Sequence, residues 1–217
     1  MRTTLMTKLA TRLVMVFALL TAGFTQAAQD NPQVVLKTEI GDILVELFPK
    51  AAPVSVDNFV KLVNDYHYDG LIFHRVISGF MIQAGGFTFD FSPRESSRGS
   101  IVNESSNGLK NKRGTLAMAR MNDPDSASAQ FFINHKSNGF LNPKGDNKGY
   151  AVFGAVVAGM NVVDAIAAVE TQTLGYYADV PVKPIRILSA RLVNPESWTP
   201  LPEPAPAPVI EKPVPIR

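Results

Sequence analysis

Short apolar segments, separated by glycines and polar clusters, recur along most of the chain and restrict the folds open to it. Between residues 33 and 194 these segments are only four to eight residues long, which is the length of strands. The glycines between them are typical of turns. The pattern therefore predicts a mainly antiparallel β domain, folded as a barrel or a sandwich.

Eight strands and two helices are expected. The first two strands, Val34–Thr38 and Ile43–Phe48, flank Gly41 and should form a hairpin. The other six are predicted at residues 71–74, 80–84, 114–119, 130–134, 150–157 and 185–192.

Both helices are predicted from apolar residues at helical spacing. The first opens at Pro53 and carries one apolar stripe. The second runs from about residue 160 to residue 168. The inward-facing residues are expected to be Val56, Phe59, Val60 and Val63 in the first helix, and Val162, Val163 and Ile166 in the second.

The first 28 residues resemble an export signal. Three basic residues precede an apolar run at residues 13–22, and small residues follow at 25–27. The run is about ten residues, well short of the ~20 that span a bilayer. We expect export to the periplasm, or secretion, with cleavage after Ala27 or Ala28 and no membrane anchor afterwards. An uncleaved N-terminal anchor is the alternative.

The charge of the mature chain gives no reason to expect a nucleic-acid partner. The full chain has 21 Lys and Arg against 19 Asp and Glu, but residues 1–28 hold three of the basic residues and no acidic ones. The remainder has 18 basic and 19 acidic residues, a net charge of −1. The chain has no cysteine, so its core must suffice without disulfides.

Beyond the leader, the sequence divides into one domain at residues 29–194 and a proline-rich tail at residues 195–217. The tail holds 8 of the chain's 16 prolines. Such a density cannot sustain a helix or a central strand, so a polyproline-II-like or disordered extension is expected. It could be a solvated spacer or a docking ligand.

One segment, Phe73–Gly86, places a permanent cation and an amide among large apolar side chains. Arg75 is the cation and Gln83 the amide. On an alternating strand Phe73 and Arg75 would share one face, and so would Met81 and Gln83. By the same rule Gln130 and Phe132 should point one way, as a pocket, and Phe131 and Ile133 the other way, into the core.

The polar residues match no metal-site or nucleophile motif. His67, His74 and His135 lack metal-ligand spacing, and Ser126 and Ser128 lie in no nucleophile motif. A site built from Arg75 and Gln83 can bind and polarise a neutral, partly apolar group, but is poorly equipped to cut a bond.

Four motifs together resemble the cyclophilin peptidyl-prolyl isomerases. They are FHRVISGFMIQAGG at residues 73–86, RGTLAMAR at 113–120, AQFFIN at 129–134 and YAVFGAVVAGM at 150–160. The resemblance covers residues 34–192 and, with the leader, is greatest to the periplasmic bacterial members. It implies a closed eight-stranded antiparallel β-barrel capped by two helices. It also implies isomerisation of proline-containing unfolded or partly folded polypeptides, without cofactor or metal. Nothing in the sequence demands more than a monomer.

The resemblance also implies a role for each site residue. Arg75, Gln83 and Phe80 form the catalytic group, in which Gln83 contacts the substrate backbone and helps to hold Arg75. The remaining substrate-binding residues are Met81, Phe132 and Leu141 in the proline pocket, Met118, Ala119 and Arg120 along the bound peptide, and Gln130, Phe140 and Tyr150 at the borders.

Three positions depart from the common family pattern. Phe140 stands where cyclosporin-sensitive members usually have Trp, so cyclosporin binding should be weak. Arg120 replaces an Asn common in eukaryotic members, which matters only if its side chain contacts the substrate. Tyr150 stands where many members have His.

Two other functions remain open on the residues alone. The same pocket could serve a proline-directed binding module or chaperone without useful catalysis. An exported ligand-binding barrel of lipocalin type is the other alternative, although the Arg75 and Gln83 pair does not favour it.

Overall fold

The computed structural model describes residues 31–202, and the leader predicted at residues 1–28 lies outside them. The described chain forms ten strands and two α-helices. In chain order they are β1 (Gln33–Thr38), β2 (Gly41–Leu47), α1 (Pro53–Asn64), β3 (Leu71–Ile77), β4 (Met81–Thr88), β5 (Thr115–Met118), β6 (Phe131–Asn134), β7 (Val152–Ala158), α2 (Met160–Ala167), β8 (Thr171–Leu174), β9 (Tyr177–Pro181) and β10 (Ile187–Leu192).

Eight of these strands form one antiparallel sheet in the order β10-β1-β2-β7-β5-β6-β4-β3. Its two edges meet where the chain enters β10. The Phe73 N–H donates to the Ile185 carbonyl at 3.0 Å, and the Gly70 N–H donates to the Ile187 carbonyl at 2.8 Å. The eight predicted strands are thus confirmed, and the sheet is a nearly closed barrel, not a sandwich.

Two helices pack on this barrel through the predicted apolar residues. Helix α1 begins at Pro53, where a missing N–H costs no intrahelical bond. All seven residues predicted to face inward are buried in a single core. The predicted helices are therefore confirmed, with the start of α1 and both ends of α2 within about one residue.

An aromatic cluster occupies the middle of that core. The Phe59 ring from α1 lies 5.1 Å from Tyr68, 5.4 Å from Phe131 and 5.2 Å from Phe153, measured between ring centroids. The buried Tyr68 hydroxyl donates to the Ala129 carbonyl at 3.0 Å, so no polar group is left unpaired there.

Strand β3 contains an irregularity that the sequence did not predict. Phe73 pairs with Ala84 but Arg75 pairs with Gln83, so one extra residue lies in β3. Phe73 is buried in the core, whereas His74 and Arg75 both face a cleft on the other side. The expectation that Phe73 and Arg75 share a face is therefore wrong, because the bulge interrupts the alternation.

Strands β8 and β9 form a separate hairpin that the sequence also did not predict. All four residues of β8 are exposed. The hairpin therefore lacks the apolar alternation from which half-buried strands are recognised. It lies beside β3 and turns through Gly175 and Tyr176.

The first residues of the predicted proline-rich tail pack against the domain. Pro195–Ser197 form a turn of 3₁₀ helix, and Trp198 packs on the core. The Leu201 N–H donates to the Asp57 carboxylate at 2.8 Å. Residues 195–202 thus associate with the domain, and residues 203–217 lie outside the described chain. Neither helix in residues 31–202 is long and apolar enough to cross a membrane.

Gly159, at the start of α2, provides a test of this packing. Its φ is +90°, and an added Cβ would lie 2.3 Å from the Asp42 carbonyl oxygen. Gly108 has a similar φ of +84° but open space around it. We expect Gly159→Ala to lower the free energy of unfolding by about 3 kcal/mol or more, and Gly108→Ala by roughly 1 kcal/mol. If urea denaturation showed an equal decrease in the free energy of unfolding for the two variants, the close approach of Gly159 to Asp42 would be contradicted.

Candidate active site

A cleft of about 460 Å³ lies on the face of β4 and β6 opposite to the core. This volume suits a small ligand or a few peptide residues. Met81 and Gln83 of β4 face it, as does Phe132 of β6, while Ile82, Phe131 and Ile133 face the core. The alternation predicted for these two strands is confirmed.

Ten of the twelve site residues predicted from the sequence line the cleft. They are Arg75, Phe80, Met81, Gln83, Ala119, Arg120, Gln130, Phe132, Leu141 and Tyr150. Met118 does not, because its side chain is buried in the core. Phe140 lies outside the lining but stacks on Phe80, with ring centroids 5.5 Å apart.

The floor of the cleft is apolar. Met81, Phe132 and Leu141 pack together and are at most 9% exposed. Phe80 is half-buried beside them, and the Tyr150 ring meets Phe132 edge-on at 5.6 Å. Such a slot can hold a compact apolar ring.

Two amide side chains border this slot. The Gln83 side-chain N–H donates to Gln130 Oε1 at 2.8 Å. Gly86 makes room for this pair, because a Cβ there would lie 2.4 Å from Gln130 Nε2. Gln83 pairs with Arg75 across the strands, but its amide is directed to Gln130.

The charged partner of Arg75 comes from the unpredicted hairpin. Arg75 Nε lies 3.4 Å from Asp179 Oδ2, and the two side chains are 44% and 36% exposed. The guanidinium thus stands at the rim of the apolar slot, in partial contact with water.

Arg120 is engaged with the neighbouring loop. Its Nη2 donates to the Lys148 carbonyl at 2.7 Å, and its Nη1 donates to the Met121 carbonyl at 2.8 Å. Its guanidinium lies 4.7 Å from the centre of the Tyr150 ring. The side chain therefore fixes loop and ring in place, which leaves fewer donors for a ligand.

His74 lies next to Arg75 and is almost fully buried. Burial lowers the pKa of His74 to about 4, and the positive charge of Arg75 contributes to this shift as a minor cause. Its ring packs 4.8 Å from Phe87. The imidazole is therefore neutral at physiological pH and adds no charge to the cleft.

The cleft thus combines an apolar slot, a half-exposed guanidinium and two amides. No three His, Cys, Asp or Glu side chains within residues 31–202 are grouped so as to hold a metal ion.

The model of the family described as "Cyclophilin type peptidyl-prolyl cis-trans isomerase/CLD" matches residues 33–192. The chain belongs to the cyclophilins. Its activity is accordingly that of a peptidyl-prolyl cis-trans isomerase, and it binds proline-containing peptides.

Curated relatives agree with this assignment. The cyclophilin is 50% identical over 162 residues to a peptidyl-prolyl cis-trans isomerase of Acinetobacter baylyi, covering 75% of this chain and 86% of that one. It is 49% identical to isomerase A of Dickeya dadantii, over 77% and 88% of the two chains. It is 48% identical to isomerase B of Escherichia coli, over 72% and 96%.

A solved structure agrees as well. The crystal structure of a Cryptosporidium parvum cyclophilin-type isomerase, obtained in the presence of the dipeptide Ala-Pro, is similar with a TM-score of 0.62 and 26% identity. The similarity covers 74% of this chain and 98% of that one.

Sequence reasoning missed five residues that line the cleft of this cyclophilin. They are His74, Phe87, Tyr176, Tyr177 and Ala178. His74 could not be predicted to line the cleft, because the bulge that turns it there has no sequence signal. The last three belong to the β8–β9 hairpin, whose only sequence signal is Gly175, between the polar segment Thr171–Leu174 and the tyrosines at positions 176 and 177.

The lowered pKa of His74 makes stability depend on pH. An imidazole has a pKa of about 6.5 in the unfolded chain, so between pH 6.5 and about 4 the unfolded state binds more protons. The stabilisation is complete above pH 6.5 and is lost as the pH falls toward 4. It amounts to roughly 3 kcal/mol for a shift of this size.

We therefore expect the wild type to lose roughly 3 kcal/mol more than His74→Gln between pH 7 and pH 4, measured by urea denaturation. Carboxyl groups with lowered pKa, such as those of Glu39 and Asp69, are present in both proteins and cancel in the comparison. If the free energy of unfolding changed equally with pH in the wild type and in His74→Gln, His74 would ionise as freely in the folded state as in the unfolded state.

Proposed function

We propose that this cyclophilin accelerates Xaa-Pro isomerisation in exported polypeptides by stabilising the twisted amide, without a covalent intermediate. The observation that carries the mechanism is the position of Arg75, whose guanidinium stands at the edge of the apolar slot formed by Phe80, Met81, Phe132 and Leu141.

The reaction needs no bond to be cut. An Xaa-Pro amide isomerises slowly because its C–N bond has partial double-bond character, with a barrier of about 18–20 kcal/mol. In the twisted state the prolyl nitrogen regains its lone pair and becomes an acceptor. A site that binds this state more tightly than either planar isomer accelerates the exchange.

Arg75 supplies the donor for that nitrogen. A guanidinium is always protonated and rigid, so its N–H groups need no proton transfer before they act. The contact is absent in the planar amide, whose nitrogen lone pair is delocalised. It therefore favours the transition state over the ground state, as catalysis requires.

The apolar slot holds the pyrrolidine ring while the acyl side rotates. Met81, Phe132 and Leu141 form its floor, and Phe80 stands beside them. A bound ring displaces water from the slot, which strengthens the neighbouring Arg75 contact because the local dielectric constant falls. Gln83 and Gln130 offer donors and acceptors to the substrate backbone. The resulting isomerase uses neither metal nor cofactor.

The proposed substrates are proline-containing unfolded or partly folded chains in the periplasm, met by a monomer. Crystallisation of a similar isomerase in the presence of Ala-Pro supports the substrate class, and the export signal expected at residues 1–28 supports the compartment. Cell fractionation, with N-terminal sequencing of the protein recovered, tests the compartment. A cytoplasmic protein that retains residue 1 would contradict it.

Arg75→Ala should lower kcat/KM by about 100-fold or more, because it removes a transition-state donor. The assay is cis/trans exchange of an Ala-Pro peptide by NMR. Arg113→Ala is the matched control, since Arg113 is a similarly exposed arginine that does not line the cleft. A folded Arg75→Ala protein with wild-type exchange would contradict the mechanism, and peptide binding without faster exchange in the wild type would instead favour a binding module.

Cyclosporin should bind weakly. Phe140 is 75% exposed and offers no N–H donor, unlike the Trp of cyclosporin-sensitive members. We expect Phe140→Trp to lower the cyclosporin Kd, measured by calorimetry, while kcat/KM for the Ala-Pro peptide changes little. Tighter binding to the wild type than to the variant would contradict this expectation.

A further inference from the structure

The β8–β9 hairpin brings a carboxylate next to Arg75 that the mechanism above does not use. Asp179 Oδ2 lies 3.4 Å from Arg75 Nε. We propose that Asp179 is a positioning residue that orients the Arg75 guanidinium toward the substrate amide. The inference depends on the proposed role of Arg75.

The atom that Asp179 contacts supports this role. A guanidinium has five N–H donors, one on Nε and four on the two Nη atoms. A carboxylate beside Nε lies at one edge of the guanidinium and leaves Nη donors on the other edge for a ligand. The group that fixes the orientation is therefore not the group that would meet the prolyl nitrogen.

Arg75 needs such a partner because its surroundings restrain it little. Its side chain is 44% exposed, so packing contacts leave much of it free to move. Gln83, its neighbour across the strands, directs its amide to Gln130. The opposite charge nearest to the guanidinium thus comes from the hairpin. Its position matters because even a small displacement of a catalytic donor can lower the reaction rate strongly.

The backbone holds Asp179 in an unfavourable conformation. Its φ is 63°, in the left-handed region, and only Tyr66 and Phe91 share a positive φ among the non-glycine residues at positions 31–202. This region is uncommon for residues other than glycine, although aspartate tolerates it better than most. The backbone at Asp179 is therefore in a specific conformation that sets the direction of its side chain.

Anchors on both sides of Asp179 enforce that direction. Two residues before it, the Tyr177 ring lies 5.2 Å from Phe87 and 5.0 Å from Phe91. One residue after it, Val180 is buried at 3% exposure. The carboxylate is thus carried by a segment that packs on β4, on the loop after β4 and in the domain interior.

The ion pair itself contributes little to folding. Exposed pairs of this kind have small effects on stability, so removal of the charge should leave the fold intact. Asp179→Asn is the appropriate change because asparagine also tolerates the left-handed region and keeps the side-chain shape. Asp164→Asn is the matched control, since Asp164 pairs with Arg113 at 2.8 Å at similar exposure and does not line the cleft.

The test is the exchange rate of an Ala-Pro peptide with the full chain. We expect Asp179→Asn to lower kcat by about tenfold while KM changes less than twofold. Asp179→Glu should recover part of the loss, and Asp164→Asn should behave as the wild type. An unchanged or raised kcat in Asp179→Asn would overturn the proposal, a raised one because the carboxylate would then be holding Arg75 away from the substrate.

A double-mutant cycle separates this proposal from the role of Arg75. If Asp179 acts through Arg75, Asp179→Asn should cause no further loss in an Arg75→Ala protein. An equal loss in both backgrounds would overturn the positioning role. Wild-type turnover in Arg75→Ala alone would overturn the proposed mechanism instead, whereas loss in Arg75→Ala with no loss in Asp179→Asn would overturn only the role of Asp179.

NMR of the Arg75 side chain gives a readout that a merely structural role would not change. The Arg75 Nε–H should exchange with solvent faster in Asp179→Asn than in the wild type, while backbone resonances in β4 and β6 stay in place. An unchanged Nε–H signal would overturn the proposal.

Discussion

Two adjacent aromatic side chains on β6 point to opposite faces of the sheet, and both the core and the cleft depend on this alternation. Phe131 packs against Phe59 and Tyr68 inside the barrel, and Phe132 forms the floor of the cleft. Because β6 is paired on both sides, by β4 and β5, a slip of one residue would exchange the two environments. The packing that stabilises the barrel therefore also fixes the shape of the cleft.

In the proposed mechanism, the guanidinium of Arg75 has to satisfy two opposing requirements. A fully buried, unpaired charge would be expensive, whereas a fully hydrated one would interact weakly with a substrate. The rim position, half exposed and beside a carboxylate, lies between these extremes. A bound substrate then removes the remaining water from the guanidinium. The free energy of this desolvation is therefore offset by substrate binding and does not destabilise the free, folded protein.

Regular alternation made much of this arrangement predictable. The faces of β4 and β6 follow from the two-residue period, and the helices follow from the spacing of residues such as Val56 and Phe59. The roles assigned to cleft residues came from motif resemblance, because composition alone does not distinguish a pocket phenylalanine from a core one.

What could not be predicted depends on departures from regularity. The bulge in β3 turns His74 to the same face as Arg75, yet no residue type at that point indicates an extra residue. All four residues of β8 are exposed and β9 buries only its last two residues, so neither strand shows an apolar alternation. Asp179 reaches Arg75 only through that hairpin, and a contact between residues 104 positions apart leaves no sequence pattern.

The antiparallel pairing of β1 with β10 has a consequence for the connectivity of the domain. Val34 pairs with Leu192, and the Gln33 N–H donates to the Asn194 side chain at 2.8 Å. The start of β1 and the end of β10 therefore lie side by side. A short linker could join these ends, and new termini could be opened in a surface loop without breaking a sheet pairing. A circularly permuted chain could therefore form the same barrel, because the strand pairings do not require β1 to be the first strand in the sequence.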